Sequence, residues 1–349
     1  MAEYGIYNDI AKRSGGDVYV GVVGPVRTGK STFIKRFMDL IVIPNIENEY
    51  KKARALDELP QSAGGKMIMT TEPKFIPNEA VGIKIGDGIN LKVRMIDCVG
   101  YIVNSAIGHF ENSMPRMVMT PWSDEPVPFA EAAETGTKKV IDEHSTIGIV
   151  VTTDGSVTEI PREDYEDAEA RVIRELKAIN KPFVVVLNTA NPNSETVMAY
   201  KAEMEDKYGV CVIPLNCAEL STGDINTIME KILLEFPVKE IGINIPRWIS
   251  SLDEGNWLKS KIREEIISAS DKIEKISDIK DFANCLAAVP YIEDAIVEMT
   301  DLGTGAVSVN ARVGDETYYK IVEETTGFNI ESRQELMETL KNLSEIKKK

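Results

Sequence analysis

From Asp17 to about Glu240 the chain alternates short apolar runs with longer amphipathic stretches. The runs Val18–Val23, Leu91–Ile96, Ile147–Thr152, Phe183–Asn188 and Val210–Leu215 are rich in valine or isoleucine. Such near-continuous apolar character marks parallel strands covered on both faces. Ser31–Leu40, Phe129–Glu143, Arg162–Ile179, Ser194–Tyr208 and Thr222–Glu235 carry helical periodicity between them. The alternation predicts a doubly wound, mainly parallel α/β domain, with ligand at the C-terminal ends of the strands. Residues 41–72 and 103–128 are too long for simple connections, and loops of that length are usually functional or separately folded.

The pattern changes after Phe236-Pro237. Ile241–Ile245 reads as a strand ended by Pro246. A mixed-charge helix follows, with Leu258, Ile262, Ile266, Ala269, Ile273 and Ile276 on one face. Both charge signs on its other face favour a core-packed helix over a membrane-surface one. Val307–Val313 alternates like a strand. Thr317–Glu324 and Ser332–Ile346 read as helices, the second opened by the capping box Ser332-x-x-Glu335. Residues 1–240 are therefore expected to form the α/β domain and 241–349 a smaller α+β domain.

Charge narrows the function classes. The 349 residues carry 40 Lys+Arg against 56 Asp+Glu, a formal charge of −16. That balance argues against wrapping nucleic acid or lying on an anionic membrane. Lys347–Lys349 reads as a helix C-terminus complementing its dipole. Cys98, Cys211, Cys217 and Cys285 have no C-x-x-C spacing, so reduced thiols are expected rather than a metal site or disulfide framework. The start has no basic-then-apolar leader pattern, and no apolar run is long enough to span a bilayer, so a cytoplasmic chain without a transmembrane segment is expected.

The candidate chemistry begins where the first strand meets the first helix. Gly24-Pro25-Val26-Arg27-Thr28-Gly29-Lys30-Ser31-Thr32 contains G-x-x-x-x-G-K-[ST], the phosphate-binding loop. Its glycines let backbone N–H groups turn toward phosphate oxygens, Lys30 is placed on the β- and γ-phosphates, and the Ser31 hydroxyl is offered to Mg²⁺. The following helix aims its positive end at the same anion. Asp97-Cys98-Val99-Gly100 closes a later strand with Asp-x-x-Gly. Asp97 is a Mg²⁺ residue there, and the Gly100 N–H can sense the γ-phosphate. Thr70 and Thr71 precede that strand, and both are candidates to complete Mg²⁺ coordination as a switch; Gly64-Gly65 offers hinges. This order describes a P-loop NTPase of the GTPase-like branch.

Base selection departs from guanine. Asn188-Thr189-Ala190-Asn191 stands where Asn-Lys-x-Asp would read guanine. A carboxylate accepts both guanine N1–H and N2–H bonds, whereas the Asn191 amide offers one acceptor and one donor. Adenine, and so ATP, becomes plausible. Asn216-Cys217-Ala218 is a degenerate version of the second base loop. Tyr101, after Gly100, is a poor base where relatives carry a water-orienting residue, so slow hydrolysis is expected. Val26 should crowd an incoming arginine finger; Arg27 acts in cis or simply packs. His109, His144 and the tryptophans 122, 248 and 257 are assigned no catalytic or base-stacking role.

The wording of these motifs, with Asp57-Glu58-Leu59-Pro60-Gln61-Ser62-Ala63, Met69-Thr70-Thr71-Glu72-Pro73-Lys74-Phe75, Asp97-Cys98-Val99-Gly100-Tyr101 and His144-Ser145-Thr146-Ile147-Gly148, resembles the stage IV sporulation protein A family. The resemblance implies spore-coat morphogenetic ATPases of endospore-forming Firmicutes, related to translation-factor GTPases. It implies that hydrolysis drives polymerisation into the coat's basement layer on the mother-cell side of the forespore. Phosphate binding falls on Gly24–Ser31, the switch role on Thr70 and Thr71, and Mg²⁺ on Asp97. The implied partners are copies of the same chain, a short amphipathic peptide that marks the forespore membrane, and other coat or cortex proteins. Family members continue well past the position of Lys349, so the C-terminal domain tied to peptide docking and assembly is expected to lie outside this chain. The competing classes are a GTPase regulator of translation or ribosome assembly and a catalytically inactive structural module. The altered Asn-Lys-x-Asp and the acidic charge oppose the first; intact Lys30, Ser31 and Asp97 oppose the second.

Overall fold

The valine- and isoleucine-rich runs become neighbours in one six-stranded sheet in the computed structural model, which describes residues 2–60, 72–85, 89–103, 105–111 and 114–347. Its strands are β1 (Asp17–Val23), β2 (Lys74–Ile85), β3 (Ile89–Asp97), β4 (Ile147–Thr153), β5 (Phe183–Asn188) and β6 (Val212–Leu215), in the spatial order β6-β5-β4-β1-β3-β2. Every pairing is parallel except β2 with β3. All residues of β4 and β5 are buried. That is why these strands read as unbroken apolar runs.

Within residues 1–236, one of two compact units of the chain, helices separate the strands. They are α1 (Ala2–Ser14), α2 (Lys30–Phe37), α3 (Glu49–Asp57), α4 (Phe129–Lys139), α5 (Glu166–Ala178), α6 (Glu195–Tyr208) and α7 (Thr222–Leu234). Helix α2 buries Phe33, Ile34 and Phe37, each contributing roughly 1.5–3 kcal/mol by leaving water. It continues into a π-helical turn, Met38–Val42, and α4 does the same at Val140–His144. The long segment after α2 thus contains α3, capped by the Asn48 side chain on the Lys51 N–H. Residues 103–128 include the antiparallel ribbon Met117–Thr120 with Ser123–Pro128. Neither α1 nor the antiparallel edge strand β2 was expected from the apolar pattern.

Behind the C-terminal end of β4 lies a buried ion pair. The Arg162 guanidinium makes a two-pronged contact with Glu169, at 2.6 and 2.9 Å, and the Thr152 hydroxyl donates to the same carboxylate at 2.6 Å. The Glu169 side chain is wholly buried. Fork-to-carboxylate geometry with a third donor satisfies the charges that burial would otherwise penalise.

Residues 237–349 form the second unit. Its sheet runs β7 (Glu240–Asn244), β9 (Ala306–Val313), β8 (Ile292–Asp301), with β7–β9 parallel and β8–β9 antiparallel. Around it lie α8 (Trp257–Ser270), α9 (Ile279–Ala287), α10 (Asp315–Thr326) and α11 (Arg333–Lys347). In α8, Leu258 and Ile262 are buried, with Ile266 and Ala269 packed alongside the core, as its amphipathic face predicts. The helix ends at Ser270, so Ile273 and Ile276, expected on the same face, follow it, Ile276 in a separate 3-10 turn. No helix among the described residues is long and apolar enough to cross a membrane.

Removing one partner of the buried pair leaves the other charge uncompensated. Glu169→Ala is expected to cost about 3–5 kcal/mol of stability in denaturant unfolding. Glu143→Ala, which breaks an exposed pair with Lys139, is expected to cost about 1 kcal/mol or less. Equal costs would contradict the closed, buried character of the first pair.

Candidate active site

The loop from Gly24 to Ser31 leaves β1 and enters α2. Its path is fixed by the strand beside it. The β1–β3 ladder continues past both strands, with the Tyr101 N–H donating to the Gly24 carbonyl at 3.3 Å and the Val26 N–H to the Tyr101 carbonyl at 2.9 Å. Val26 is buried in the core, and Arg27 is partly buried at positive φ. The Pro25 carbonyl anchors the turn, accepting from the Thr28 hydroxyl at 3.1 Å. Gly29 has φ 96° and lies so near Asn188 that a Cβ would fall 2.3 Å from its amide nitrogen. Only glycine meets both conditions. The N-cap of α2 is Gly29, which has no side chain to cap with, in contrast to Ser194 on α6 and Ser221 on α7. A helix begun this way presents its first N–H groups to an anion.

The three principal candidates converge at this turn. The Lys30 ammonium donates to the Pro25 carbonyl at 2.5 Å and the Gly24 carbonyl at 3.4 Å. Burial holds its pKa below the ordinary lysine value, opposed by nearby Cys98 and Asp97. The Ser31 hydroxyl donates to Asp97 Oδ2 at 2.7 Å. Asp97 ends β3 and is buried, and its other oxygen, Oδ1, has no hydrogen-bond partner among the described residues. Burial raises the Asp97 pKa, opposed by the Ser31 bond and by Lys30 and Lys74. Gly100, at φ 93°, lies against the loop, where a Cβ would fall 2.3 Å from the Gly24 carbonyl oxygen. Thr32, in the first turn of α2, is partly buried.

Asn188 is a strut. Its Nδ2 donates to the Thr28 carbonyl at 2.9 Å, and its Oδ1 accepts from the Cys217 N–H at 3.0 Å. It ties the loop to the segment after β6. Asn191 is exposed and stands apart from the convergence, its N–H donating to the Thr189 hydroxyl at 3.2 Å. Thr70 and Thr71, with Gly64-Gly65, lie outside the described residues. Tyr101 turns its phenol away from the loop. The hydroxyl donates to Glu175, and Arg171 lies 4.6 Å over the ring. Burial and Glu175 together raise the Tyr101 pKa. Burial likewise pushes the Cys98 thiol up to about 11. His144 is exposed, edge-on to Phe75.

Asp154 and Ser156 escaped the sequence reading. Asp154 Oδ2 accepts from the Thr189 hydroxyl at 2.7 Å, and Oδ1 accepts from the Ser156 hydroxyl at 2.6 Å and its N–H at 3.0 Å. Ser156 in turn accepts the Ala190 N–H at 2.9 Å. The signal was available in Asp154-Gly155-Ser156, a turn sequence at the end of a buried strand.

A divalent ion is consistent with one feature of this arrangement, the buried Asp97 Oδ1, unpartnered among the described residues, beside a serine hydroxyl. Among the described residues no group of three or more His, Cys, Asp or Glu converges to hold a metal without other ligands. The donor set therefore suits a hard ion that keeps waters and takes ligand phosphate oxygens, as Mg²⁺ does.

The fold and a family match together define an ATPase-domain protein, a mixed α/β domain joined to a smaller second domain. Residues 1–237 match the family described as stage IV sporulation protein A, ATPase domain, and residues 238–349 match its middle domain. The chain belongs to the stage IV sporulation protein A family. It is 50% identical over 342 residues to stage IV sporulation protein A of Clostridioides difficile (strain 630), covering 98% of this chain and 70% of that protein. It is 45% identical to the protein of that name from Bacillus anthracis and 44% identical to that from Bacillus subtilis (strain 168), each over 347 residues, 99% of this chain and 70% of the relative.

Because the folded Asp97 pKa lies above its unfolded value, the ionised carboxylate burdens the folded chain at neutral pH. That burden lifts as pH falls through the folded pKa toward the ordinary carboxylate range near 4. Asp97→Asn is therefore expected to raise the thermal midpoint of the nucleotide-free protein at pH 7. Midpoints measured across pH should show the difference from the parent shrinking toward pH 4. A gain that grows on acidification would contradict the burial argument.

Proposed function

We propose that this chain is a Mg²⁺-dependent ATPase of the P-loop, GTPase-like class, and that hydrolysis drives its self-assembly into a basement scaffold of the spore coat. The observation that carries the site reading is the Ser31–Asp97 pair at 2.7 Å, with Asp97 Oδ1 free of any partner among the described residues. Family membership supports the sporulation setting.

In this reading Ser31 and Asp97 hold Mg²⁺, with Thr71 as the candidate from the sequence. Bound there, the ion supplies charge neutralisation at the β- and γ-phosphates. Lys30 exchanges the Pro25 and Gly24 carbonyls for phosphate oxygens, a charge-assisted bond replacing neutral acceptors. Backbone N–H groups of the loop beyond Val26, with those at the start of α2, orient the same anion. Thr70 or Thr71 supplies the switch contact. The phenol of Tyr101 is committed to Glu175, so water is not activated by it and turnover is slow.

ATP rather than GTP follows from the base loop. Thr189 has no ammonium and is bonded to Asp154, while Asn191 cannot accept both guanine N–H groups. Asn188 shapes the pocket by bracing its two walls. The proposed partners are further copies of this chain, a short amphipathic membrane-marking peptide and other coat or cortex proteins, in the mother-cell cytoplasm at the forespore surface.

The test is hydrolysis of ATP and GTP with and without Mg²⁺, with sedimentation followed in parallel. ATP is expected to be favoured, and Lys30→Ala is expected to reduce hydrolysis by at least about 100-fold, the scale of losing a charge-stabilising donor. Sedimentable material should require ATP and disappear with Lys30→Ala. Undiminished hydrolysis in that variant would end the phosphate-loop assignment. A tenfold preference for GTP, about 1.4 kcal/mol, would end the base-selection argument.

A further inference from the structure

The Gly100 N–H, the group expected to sense a γ-phosphate, already has a partner. It donates to the Thr137 hydroxyl on α4 at 3.3 Å. Thr137 is fully buried, and its own hydroxyl hydrogen goes to the Ala133 carbonyl at 2.7 Å. With that hydrogen committed, the Thr137 oxygen faces Gly100 as an acceptor. At 3.3 Å the bond is long for N–H···O, so it satisfies a buried donor without holding it tightly. An anionic oxygen is a stronger acceptor. The neighbouring residue on α4, Gly136, is packed tightly: a Cβ there would fall 3.0 Å from Pro73 and 3.3 Å from Trp122. Helix α4 is thus seated against neighbours while it presents the hydroxyl.

We propose that Thr137 is the resting partner of the Gly100 N–H and that a γ-phosphate oxygen displaces it, making Thr137 a positioning residue that sets discrimination between ATP and ADP. This rests on the ATPase reading above. The physical argument is one of partner exchange. Without the hydroxyl, the buried N–H is unsatisfied until a triphosphate arrives, so the free state is raised and the ATP-bound state is not. ADP lacks the group that makes the exchange, so its affinity should not move.

The experiment measures binding of a non-hydrolysable ATP analogue and of ADP, both with Mg²⁺, to the full chain and to Thr137→Val and Thr137→Ser. Thr137→Val keeps the shape and removes the acceptor; Thr137→Ser keeps the hydroxyl. The expected result is a rise of roughly 3- to 10-fold in the analogue-to-ADP affinity ratio for Thr137→Val, and the parent ratio for Thr137→Ser. Hydrogen exchange without nucleotide supplies a second readout. Gly100 should exchange faster in Thr137→Val, with amides of β4 and β5 unchanged. If Thr137→Val does not fold, Thr137→Ala repeats both measurements. An unchanged or lowered ratio in a folded variant that still binds both nucleotides overturns the Thr137 assignment alone. Failure of the parent to bind either nucleotide overturns the ATPase reading and this inference with it.

Discussion

The parallel pairing of β1 with β3 on one side and β4 on the other is the constraint from which the site follows. Val22 stands opposite Asp97, and Val23 opposite Val150. Three chain turns, the loop after β1, Asp97–Gly100 after β3 and Asp154–Ser156 after β4, consequently leave the sheet at one edge. A slip of one residue between β1 and β3 would swing Asp97 to the other face of the sheet and remove it from Ser31. The apolar burial of β1, β3 and β4 opposes that slip, so core packing and site chemistry are one specification.

The loop itself is nearly closed on its own hydrogen bonds. Lys30 rests on carbonyls of the turn, Ser31 on Asp97, the Gly100 N–H on Thr137, and Asn188 on both Thr28 and Cys217. Lys30 and the Gly100 N–H would be given a stronger, charged partner by a phosphate in place of neutral oxygens. Affinity at such a site is a difference between two sets of bonds rather than the sum of one set. The buried Asp97 Oδ1 departs from this pattern, since no donor among the described residues reaches it.

Strands β1, β3, β4, β5 and β6 were legible because burial on both faces forces the same residue types at successive positions. Their helices were legible to within a turn at each end. Strand β2 was not, because Pro77, Asn78 and Glu79 interrupt its apolar pattern and exposed positions alternate irregularly with buried ones. Helix α1 was hidden by Gly5 and by helix-neutral Asn8 and Asp9; it is placed by long-range contact, the Tyr7 hydroxyl donating to Asn226 at 2.8 Å. In the candidate site, the convergence of Lys30, Ser31 and Asp97 could be read because their spacing reports a backbone geometry. Thr137 could not, since a threonine inside a helix looks like a weak helix former. Asn188 was read as a base contact, and its bracing of two loops needed the third dimension.

The tight seam between Gly136, Pro73 and Trp122 has a spectroscopic consequence. The chain holds three tryptophans, at 122, 248 and 257, and the last two lie in the second unit. Trp122 is therefore the single indole of residues 1–236, half-buried against α4. Its emission depends on the polarity and packing of that seam alone within this unit. The molecule thus carries an intrinsic optical label beside Thr137, readable in time once the other two indoles are replaced by phenylalanine.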